Sequence, residues 1–321
     1  MQQRKGRTHL VDYIVRRVFQ GILLVIAVSL MVSLLLNMMP GDPMDNLVSE
    51  QVSDEKKAEL RVEWGLDRPW YVQYIKWAGR VLKGDLGQSL STNLNILDSL
   101  KTRMPISIRL CGVAMLCQLV LSVPLGLIAA YRQGGWFDRF IMGYSMVTAA
   151  IPTFWIGMVL ILIFGIAFSV LPVSGYASWQ NYVLPVTAMV LGGVSSNIRL
   201  TRSEVLGVIR EKYVVTAYAK GLSERRVMYG HVLRNALILV VVSTFMSLPW
   251  IVAGAVVMEK VFAMPGMGAW MVDAVIATDF PVVQACLLVI SILVVVSNLL
   301  GDICSALLDP RIRASISGGA A

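Results

Sequence analysis

One stretch decides the fold, residues 140–198: FIMGYSMVTAAIPTFWIGMVLILIFGIAFSVLPVSGYASWQNYVLPVTAMVLGGVSSNI. It contains no Asp, Glu, Lys or Arg. A helix crosses a hydrocarbon core with about 20 apolar residues, so this stretch is long enough for two crossings. The polar, turn-forming segment PVSGYASWQN, residues 172–181, divides it into predicted spans near Phe140–Leu171 and Tyr182–Ile198. The stretch therefore indicates an integral membrane protein.

The rest of the sequence contains four more uncharged stretches of spanning length. The composition agrees with a membrane protein, because 56% of the 321 residues are hydrophobic, 15% are charged and the mean hydropathy is +0.69. We therefore expect an all-α integral membrane protein with six transmembrane helices and an extracytoplasmic helical cap between helices 1 and 2. The four additional predicted spans are Val18–Met39, Leu110–Ala130, Ala236–Met258 and Val282–Gly301.

The distribution of basic residues predicts the orientation, since short cytoplasmic loops retain Lys and Arg. An orientation with both termini inside places most of the 28 basic residues in cytoplasmic segments. We expect a multi-pass protein of a bacterial or archaeal cytoplasmic membrane, surrounded by lipid, and no nucleic-acid partner. The predicted divisions are a cytoplasmic amino-terminal segment 1–17, a helix 18–39, an extracytoplasmic cap 40–104, a five-helix core 105–306 that includes the cytoplasmic loop 199–235, and a cytoplasmic tail 307–321.

Motifs that carry chemistry are missing from the sequence. It contains no GxxxxGK[ST] phosphate loop and no HExxH, CxxC or GxSxG pattern. We therefore expect no catalysis by this chain and no cofactor or metal bound to it. The predicted spans are uncharged at their centres, which argues against an ion-coupled secondary transporter, since such a protein needs an ion site inside the membrane. A membrane enzyme would need a catalytic polar cluster, and none is visible.

The main polar feature of the core is the loop TAYAKGLSERRVMYGHVLRNA, Thr216–Ala236. Lys220, Gly221 and Leu222 resemble a helix carboxyl end: a basic last turn, a glycine suited to positive φ and an apolar residue that folds back. Ser223 is placed to cap a second helix. The pattern predicts a helix, a glycine corner and another helix, and the alternative is an ordinary basic loop at anionic headgroups.

The cap sequence DRPWYVQYIKWAGRVLKGDLG places apolar residues at helical spacing between Pro69 and Gly84, which suit a helix start and stop. We expect a helix there whose aromatic stripe packs against the protein or the membrane surface. The segment EKVFAMPGMG, 259–268, reads as a turn, since Pro265, Gly266 and Gly268 are strong turn residues.

The loop resembles the coupling segment of importer-type ABC permeases, whose pattern is EAA, three residues, Gly, nine residues and IxLP. Gly221 takes the glycine position, Ala217 the second alanine and Leu233 the leucine, whereas Val215, Thr216, His231 and Arg234 depart from the pattern. The chain is identified as similar, over nearly its whole length, to the dipeptide, oligopeptide and nickel permease family, and to its first-permease, B-type subunit. The motifs are TAxAKGLSE with HxLRNA, PGDP at 40–43, GLDRPWYVQY at 65–74, GDLGQS at 84–89, IPTFWIG at 151–157, LPV at 184–186, EKVFAMPGMG at 259–268 and DPRIR at 309–313.

The resemblance implies the type I ABC importer permease fold and one half of a translocation pore. It implies three kinds of partner: a homologous second permease subunit, two cytoplasmic ATPase subunits that carry the ATP and Mg, and an extracytoplasmic solute-binding protein. The implied cargo is di- or oligopeptides or peptide-like solutes, with nickel or a metal chelate such as a metallophore or opine as the alternative. The residues expected to contact the ATPases are Thr216, Ala217, Tyr218, Lys220, Gly221, Leu222, Ser223, Glu224, Arg225 and Leu233.

The resemblance also gives the 259–268 segment a second interpretation, a loop that dips toward the pore mouth. In that interpretation Glu259 pairs with a basic group of a partner or helps to form an outer gate, together with Pro265, Gly266 and Gly268. Three polar residues within the spans, Thr153, Asn197 and Asn298, are candidates for lining the pore. Hydrogen bonding between helices is the alternative role for these three.

Overall fold

The computed structural model of the chain describes residues 2–38, 62 and 67–308. Much of the predicted cap and tail, including PGDP at 40–43 and DPRIR at 309–313, lies outside the described residues. The described ranges form helices and no strand. The helices are α1 Gln2–Met38, α2 Trp70–Val81, α3 Ile96–Tyr131, α4 Trp136–Ala150, α5 Thr153–Ala167, α6 Gln180–Ile209, α7 Lys212–Ala219, α8 Glu224–Met246, α9 Leu248–Val261, α10 Met267–Ile276 and α11 Phe280–Leu308.

The prediction of six spans is confirmed, although two of them are shaped differently from the prediction. Five helices, α1, α3, α6, α8 and α11, are long and apolar enough to cross a membrane. The sixth predicted span, Phe140–Leu171, corresponds to α4 and α5, which are long and apolar enough to cross only when they are taken together and which meet at an angle of 98°. The predicted span Ala236–Met258 is wrong as one helix, because it divides at Ser247 into the end of α8 and the start of α9.

A proline lies at each break. Pro152 stands immediately before α5, and Ile151 before it has the extended backbone, φ −95° and ψ 123°, that proline imposes on its predecessor. Pro249 lies in the first turn of α9, where its missing N–H costs nothing. Pro124 and Pro185 stay inside α3 and α6, so the sequence alone did not show which prolines divide a span.

The helix α6 lies at the centre of the fold and α1 at its edge. Of the five spanning helices α6 is the most buried and α1 the least. Small residues bring α6 close to its neighbours, as at Gly126 of α3, where an added Cβ would lie 2.6 Å from Thr201 Cβ and 2.9 Å from the Ile198 carbonyl oxygen. Close packing through glycine is typical of membrane helices. Both α3 and α4 with α5 pack against this central helix.

The continuous helix α3 defines two ends of the bundle. Near its start, Ile96 and Leu100 belong to an apolar cluster with α1, α10 and α11. Near its finish, Leu127 and Ala130 belong to another cluster with the end of α6, α7 and the start of α8. We call these the cap end and the coupling-loop end.

The predicted cap helix is confirmed as α2. Pro69 occupies its N-cap position, and Gly84 follows it with a φ of +80°. Trp77 is buried and the Tyr74 hydroxyl lies 3.0 Å from the Ser29 hydroxyl of α1, so this face packs on the protein. The predicted stripe consists of Tyr71, Tyr74, Ile75, Ala78 and Leu82. Ala78 is half-buried, whereas Tyr71, Ile75 and Leu82 are exposed.

Candidate functional site

The coupling loop has the local shape that its sequence predicts. The helix α7 ends in a Schellman arrangement, in which the Leu222 N–H donates to the Ala217 carbonyl at 3.4 Å and the Gly221 N–H to the Tyr218 carbonyl at 2.9 Å. Gly221 has a φ of +76°. The chain then enters α8 with Ser223 at the N-cap position. The prediction of helix, glycine corner and helix is confirmed.

The second helix differs from the prediction in two respects. The Ser223 side chain makes no capping hydrogen bond, and only its carbonyl accepts from the Val227 N–H, at 3.0 Å. The helix is also no separate surface element, because it continues through a π-helical segment, Met228–Leu233, into the membrane-spanning part of α8. The glycine corner is therefore joined to a spanning helix by continuous helical structure.

One side of the loop packs on the bundle and the other side faces outward. Val214, Ala217, Val227 and Val232 are buried in the cluster at the coupling-loop end, and Leu233 is half-buried beside them. Of the ten predicted ATPase contacts, Ala217 and Leu233 therefore support the loop from inside. We define the coupling ridge as the exposed residues Thr216, Tyr218, Lys220, Gly221, Ser223, Glu224 and Arg225, with half-buried Leu222 between them.

A cavity lies beside the coupling ridge. Glu224, Arg225 and Tyr229 form its wall on α8, and Tyr131 and Arg132 form the opposite wall at the end of α3. Its volume is about 550 Å³. Charged groups of both signs thus surround a depression next to the glycine corner, an arrangement suited to receiving a polar protein surface.

A buried ion pair at the same end was missed by the sequence reasoning. Asp138, near the start of α4, accepts from Arg202 of α6 through both oxygens, at 2.6 Å from Nε and 2.8 Å from Nη2. The Gly134 N–H donates to the same carboxylate at 2.9 Å. This bidentate pair fixes the turn between α3 and α4 to α6. Asp138 stands among basic residues in the sequence, but only the fold places Arg202 opposite it.

At the cap end, Glu259 is enclosed within the chain. The residue is 1% exposed, and its Oε2 accepts from the Ala269 N–H at 2.8 Å. Ala269 lies in the first turn of α10, so the carboxylate caps this helix at the end that favours negative charge. The Met267 N–H of the same turn donates to Ser107 Oγ of α3 at 2.9 Å. Glu259 therefore bonds to the first turn of α10 in its own chain. Its role in an outer gate stays a prediction.

The glycines of this segment leave room for the carboxylate. An added Cβ at Gly266 would overlap the Glu259 carboxyl group, and one at Gly268 would lie 2.6 Å from Val256 Cγ2 and 2.9 Å from Val256 Cα. Pro265 precedes this contact in a half-buried position. The segment is thus a tight reversal between α9 and α10, which confirms the turn that its Pro and Gly residues predict.

A second buried carboxylate, Asp279, joins the cap to the core and was also missed. Ser89 and Ser91 donate their hydroxyls to Asp279 Oδ2 at 2.6 and 2.8 Å. The Leu90 and Ser91 N–H groups donate to the carboxylate at 3.1 and 3.2 Å. Ser89 closes the GDLGQS motif, so the loop after α2 is held at the start of α11. We call this set of bonds the Asp279 latch.

The three candidate pore-lining residues do not lie together. Thr153 begins α5 and packs against Gly192 of α6, where an added Cβ would lie 2.7 Å from the Thr153 hydroxyl. Asn197 is buried in α6. Asn298 faces a crevice between α1 and α11 that also contains Arg17 and Asp302, an ion pair at 3.2 Å. The contact of Thr153 with Gly192 fits the alternative role between helices, while pore lining by the three stays a prediction.

Similarity to known proteins extends over most of the chain. Residues 122–314 match the family "Binding-protein-dependent transport system inner membrane component", and residues 10–111 match "Binding-prot-dependent transport system membrane comp, N-term". The chain is 32% identical to the oligopeptide transport system permease protein AppB of Bacillus subtilis, with 94% of this chain and 99% of that protein covered.

Two further relatives are similar over the same length. The di/tripeptide transport system permease protein DppB of Pseudomonas aeruginosa is 35% identical, and the dipeptide transport system permease protein DppB of Escherichia coli is 32% identical. Each comparison covers 95% of this chain and 99% of the relative. With its multi-pass helical bundle, this chain belongs to the family of binding-protein-dependent transport system inner membrane components, which have the type I ABC permease fold.

Proposed function

We propose that this chain forms one half of the membrane pore of an ATP-driven importer for di- or oligopeptides or peptide-like solutes. The observation that carries the proposal is the end-to-end similarity to permeases named for oligopeptide, di/tripeptide and dipeptide transport. The similarity includes the cap as well as the core. A homologous permease supplies the other half of the pore, and a solute-binding protein delivers the cargo to the cap end.

The coupling ridge is the surface that meets the ATPase subunits. Its side chains project from a corner that is supported from beneath by a buried apolar cluster, so a force on the ridge moves the cluster as a unit. The continuity of α8 carries that movement into the bundle. When two ATPase subunits close on ATP and Mg, the ridge shifts and the spanning helices change their packing, which reopens the pore toward the binding protein.

This function requires the coupling-loop end, with both termini, to face the cytoplasm. The exposed residues Glu224, on the ridge, and Ile75, on α2, offer a direct test of the orientation. In a cysteine-free background, a membrane-impermeant thiol reagent added to intact cells should label Ile75→Cys and leave Glu224→Cys unlabelled. The opposite labelling pattern would refute the orientation.

The function is tested by uptake in cells that need a peptide to grow. A strain that cannot make phenylalanine receives Ala-Phe as its only source, in a background deleted for other peptide transporters and then for this chain. We expect growth and uptake of labelled Ala-Phe to disappear with the deletion and to return with the wild-type gene on a plasmid. Unchanged uptake of every di- and oligopeptide tested after the deletion would contradict the proposal.

The purified chain alone should hydrolyse no ATP, because it lacks a phosphate loop. Hydrolysis should start only when the ATPase subunits are added. Persistent activity of the rigorously purified chain would refute the passive role. Nickel or metal-chelate import is not proposed, since no observation on the described residues favours it. An ion-coupled secondary transporter is not proposed either, because the chain belongs to a family of binding-protein-dependent transport components.

A further inference from the structure

A cavity of about 580 Å³ opens at the cap end between α3 and the loop that precedes α6. One wall is the outer part of α3, with Arg109 and Val113. The other wall contains the aromatic residues Tyr176, Trp179 and Tyr182. The volume lies within the range of roughly 300–1,000 Å³ typical of sites for small ligands.

The loop wall of this cavity is held in one conformation by Asn181. The Asn181 Oδ1 accepts from the Ser178 N–H at 2.9 Å and from its hydroxyl at 2.7 Å, and Nδ2 donates to the Ser174 carbonyl at 2.6 Å. Gly175 has a φ of +94°, a backbone conformation that favours glycine. The aromatic wall is therefore preformed, which lowers the entropic cost of binding a ligand there.

Among the described residues that line the cavity, Arg109 is the only charged one. Among the described residues, no carboxylate forms an ion pair with its guanidinium. The Tyr182 hydroxyl is enclosed without a regular hydrogen bond, and Arg109 is its charged neighbour. The cavity thus presents a planar cation, the group that binds a carboxylate through paired hydrogen bonds.

Arg109 lies near one end of a membrane-spanning helix. It is 22 residues before Tyr131, about 33 Å along α3 and so close to one membrane thickness away. The cavity also borders α6, the most buried spanning helix. Because charged side chains in spanning segments generally face protein or a polar path, Arg109 is a candidate contact for a substrate.

We propose that this cavity binds the free carboxylate of a peptide as it enters the pore, with Arg109 as the recognising group and the aromatic wall holding the adjoining side chain. The proposal rests on the proposed function as a peptide importer. The proposal identifies the peptide carboxylate as the part of the substrate that the permease recognises, independently of recognition by the solute-binding protein. A free carboxyl terminus is the one anion that all unmodified linear peptides share, so this contact selects the class without selecting a sequence.

Binding is measured on the complete transporter in phosphatidylcholine nanodiscs, through the fluorescence of Trp179, which is 74% exposed in the cavity wall. The probes are Ala-Phe and Ala-Phe amide, and the Trp179→Phe variant defines the signal. We expect Ala-Phe to change the emission saturably and the amide to bind at least about tenfold more weakly, as loss of a charge-assisted hydrogen bond predicts. The Arg109→Gln variant should bind both probes equally.

Arg103→Gln is the matched control, since it removes the same charge from the same helix outside the cavity, where Arg103 stacks 5.2 Å from the Trp270 ring centre. It should discriminate between the probes as the wild type does. Equal binding of the two probes to the wild type, or undiminished discrimination by Arg109→Gln, would overturn the proposal. A change in Trp179 emission that depends only on added phosphatidylglycerol would also overturn it and would indicate a lipid site.

Uptake in cells separates this inference from the proposed function. If wild-type cells import Ala-Phe while Trp179 shows no carboxylate-dependent signal, the cavity proposal fails and the importer function stands. If cells import no peptide at all, the importer function fails, and the cavity proposal, which rests on it, fails with it. In the expected case, Arg109→Gln lowers the uptake of Ala-Phe and Arg103→Gln does not.

Discussion

The coupling-loop end and the cap end of this bundle are built in different ways. At the coupling-loop end, residues that are close in sequence form α7, the Gly221 corner and the start of α8, and they rest on one apolar cluster. At the cap end, the Asp279 latch joins segments up to 190 residues apart in sequence. The coupling-loop end contains one comparable long-range contact, the pair of Asp138 and Arg202, which lies beneath the exposed loop.

Under the proposed function, this difference would separate a surface that receives force from a framework that resists it. The coupling ridge leaves its charged side chains, Lys220, Glu224 and Arg225, exposed and available to a partner. The cap end encloses Glu259 and Asp279, each at 1% exposure, and uses them to fix helix starts and loops. We infer that one end is suited to moving with another protein, whereas the other holds the mouth of the bundle in shape. The predictions below test this comparison in order of decreasing effect on stability.

The largest loss of stability is expected from Arg202→Met. The substitution leaves the Asp138 carboxylate buried with only the Gly134 N–H, and breaking a buried pair in this way costs about 3 kcal/mol. The measurement is the thermal unfolding of the purified protein in detergent. The double variant Arg202→Met with Asp138→Asn should recover most of the loss, because no unpaired charge remains. A single variant as stable as the wild type would show that the pair is dispensable.

A smaller loss is expected from Gly268→Ala, about 2 kcal/mol, because its Cβ would press on the backbone of α9 at Val256. Gly266→Ala should cost less, because it meets the end of the Glu259 side chain instead of backbone, although moving that side chain weakens its bond to the Ala269 N–H. Gly254→Ala in α9 is the control, as nothing lies within 4 Å of an added Cβ there. Thermal unfolding should rank the three in this order, and equal stability of all three would contradict the close contact between α9 and α10.

The Asp279 latch should contribute about 1–2 kcal/mol, the worth of hydrogen bonds to one charged group. Asp279→Asn keeps the shape but weakens all the bonds to Ser89, Leu90 and Ser91. A cysteine introduced at position 94, whose Leu side chain is exposed and outside the latch, should then react faster with a thiol reagent. Asp98→Asn is the control, because the Asp98 carboxylate pairs with Lys101 on the exposed surface. If position 94 reacts at the same rate in both variants, the latch does not hold the loop.

The sequence predicts features formed by neighbouring residues far better than contacts between residues that are distant in sequence. The Lys220-Gly221-Leu222 pattern predicts the corner because a left-handed turn depends on neighbouring residues alone. Length and hydropathy likewise predict six spans. Asp138 with Arg202, and Asp279 with Ser89, are visible only in three dimensions, since nothing local indicates which distant group a buried carboxylate meets. The break at Ser247 lies between these cases, because Pro249 permits it without requiring it.

Gly221→Val tests most directly the claim that the coupling ridge transmits movement from the ATPases to the pore. A β-branched residue at a φ of +76° costs about 1–3 kcal/mol of strain, enough to displace the corner and too little to unfold the bundle. Gly207→Val is the matched control, since Gly207 has no atom within 4 Å of an added Cβ and lies outside the corner.

The measurement is uptake of labelled Ala-Phe beside co-purification of the ATPase subunits, with membrane levels of each variant matched. We predict that Gly221→Val abolishes ATP-driven uptake while the protein stays in the membrane, and that Gly207→Val retains most of it. If Gly221→Val supports normal uptake with normal ATPase binding, the ridge is only a connecting loop and the account of coupling is wrong.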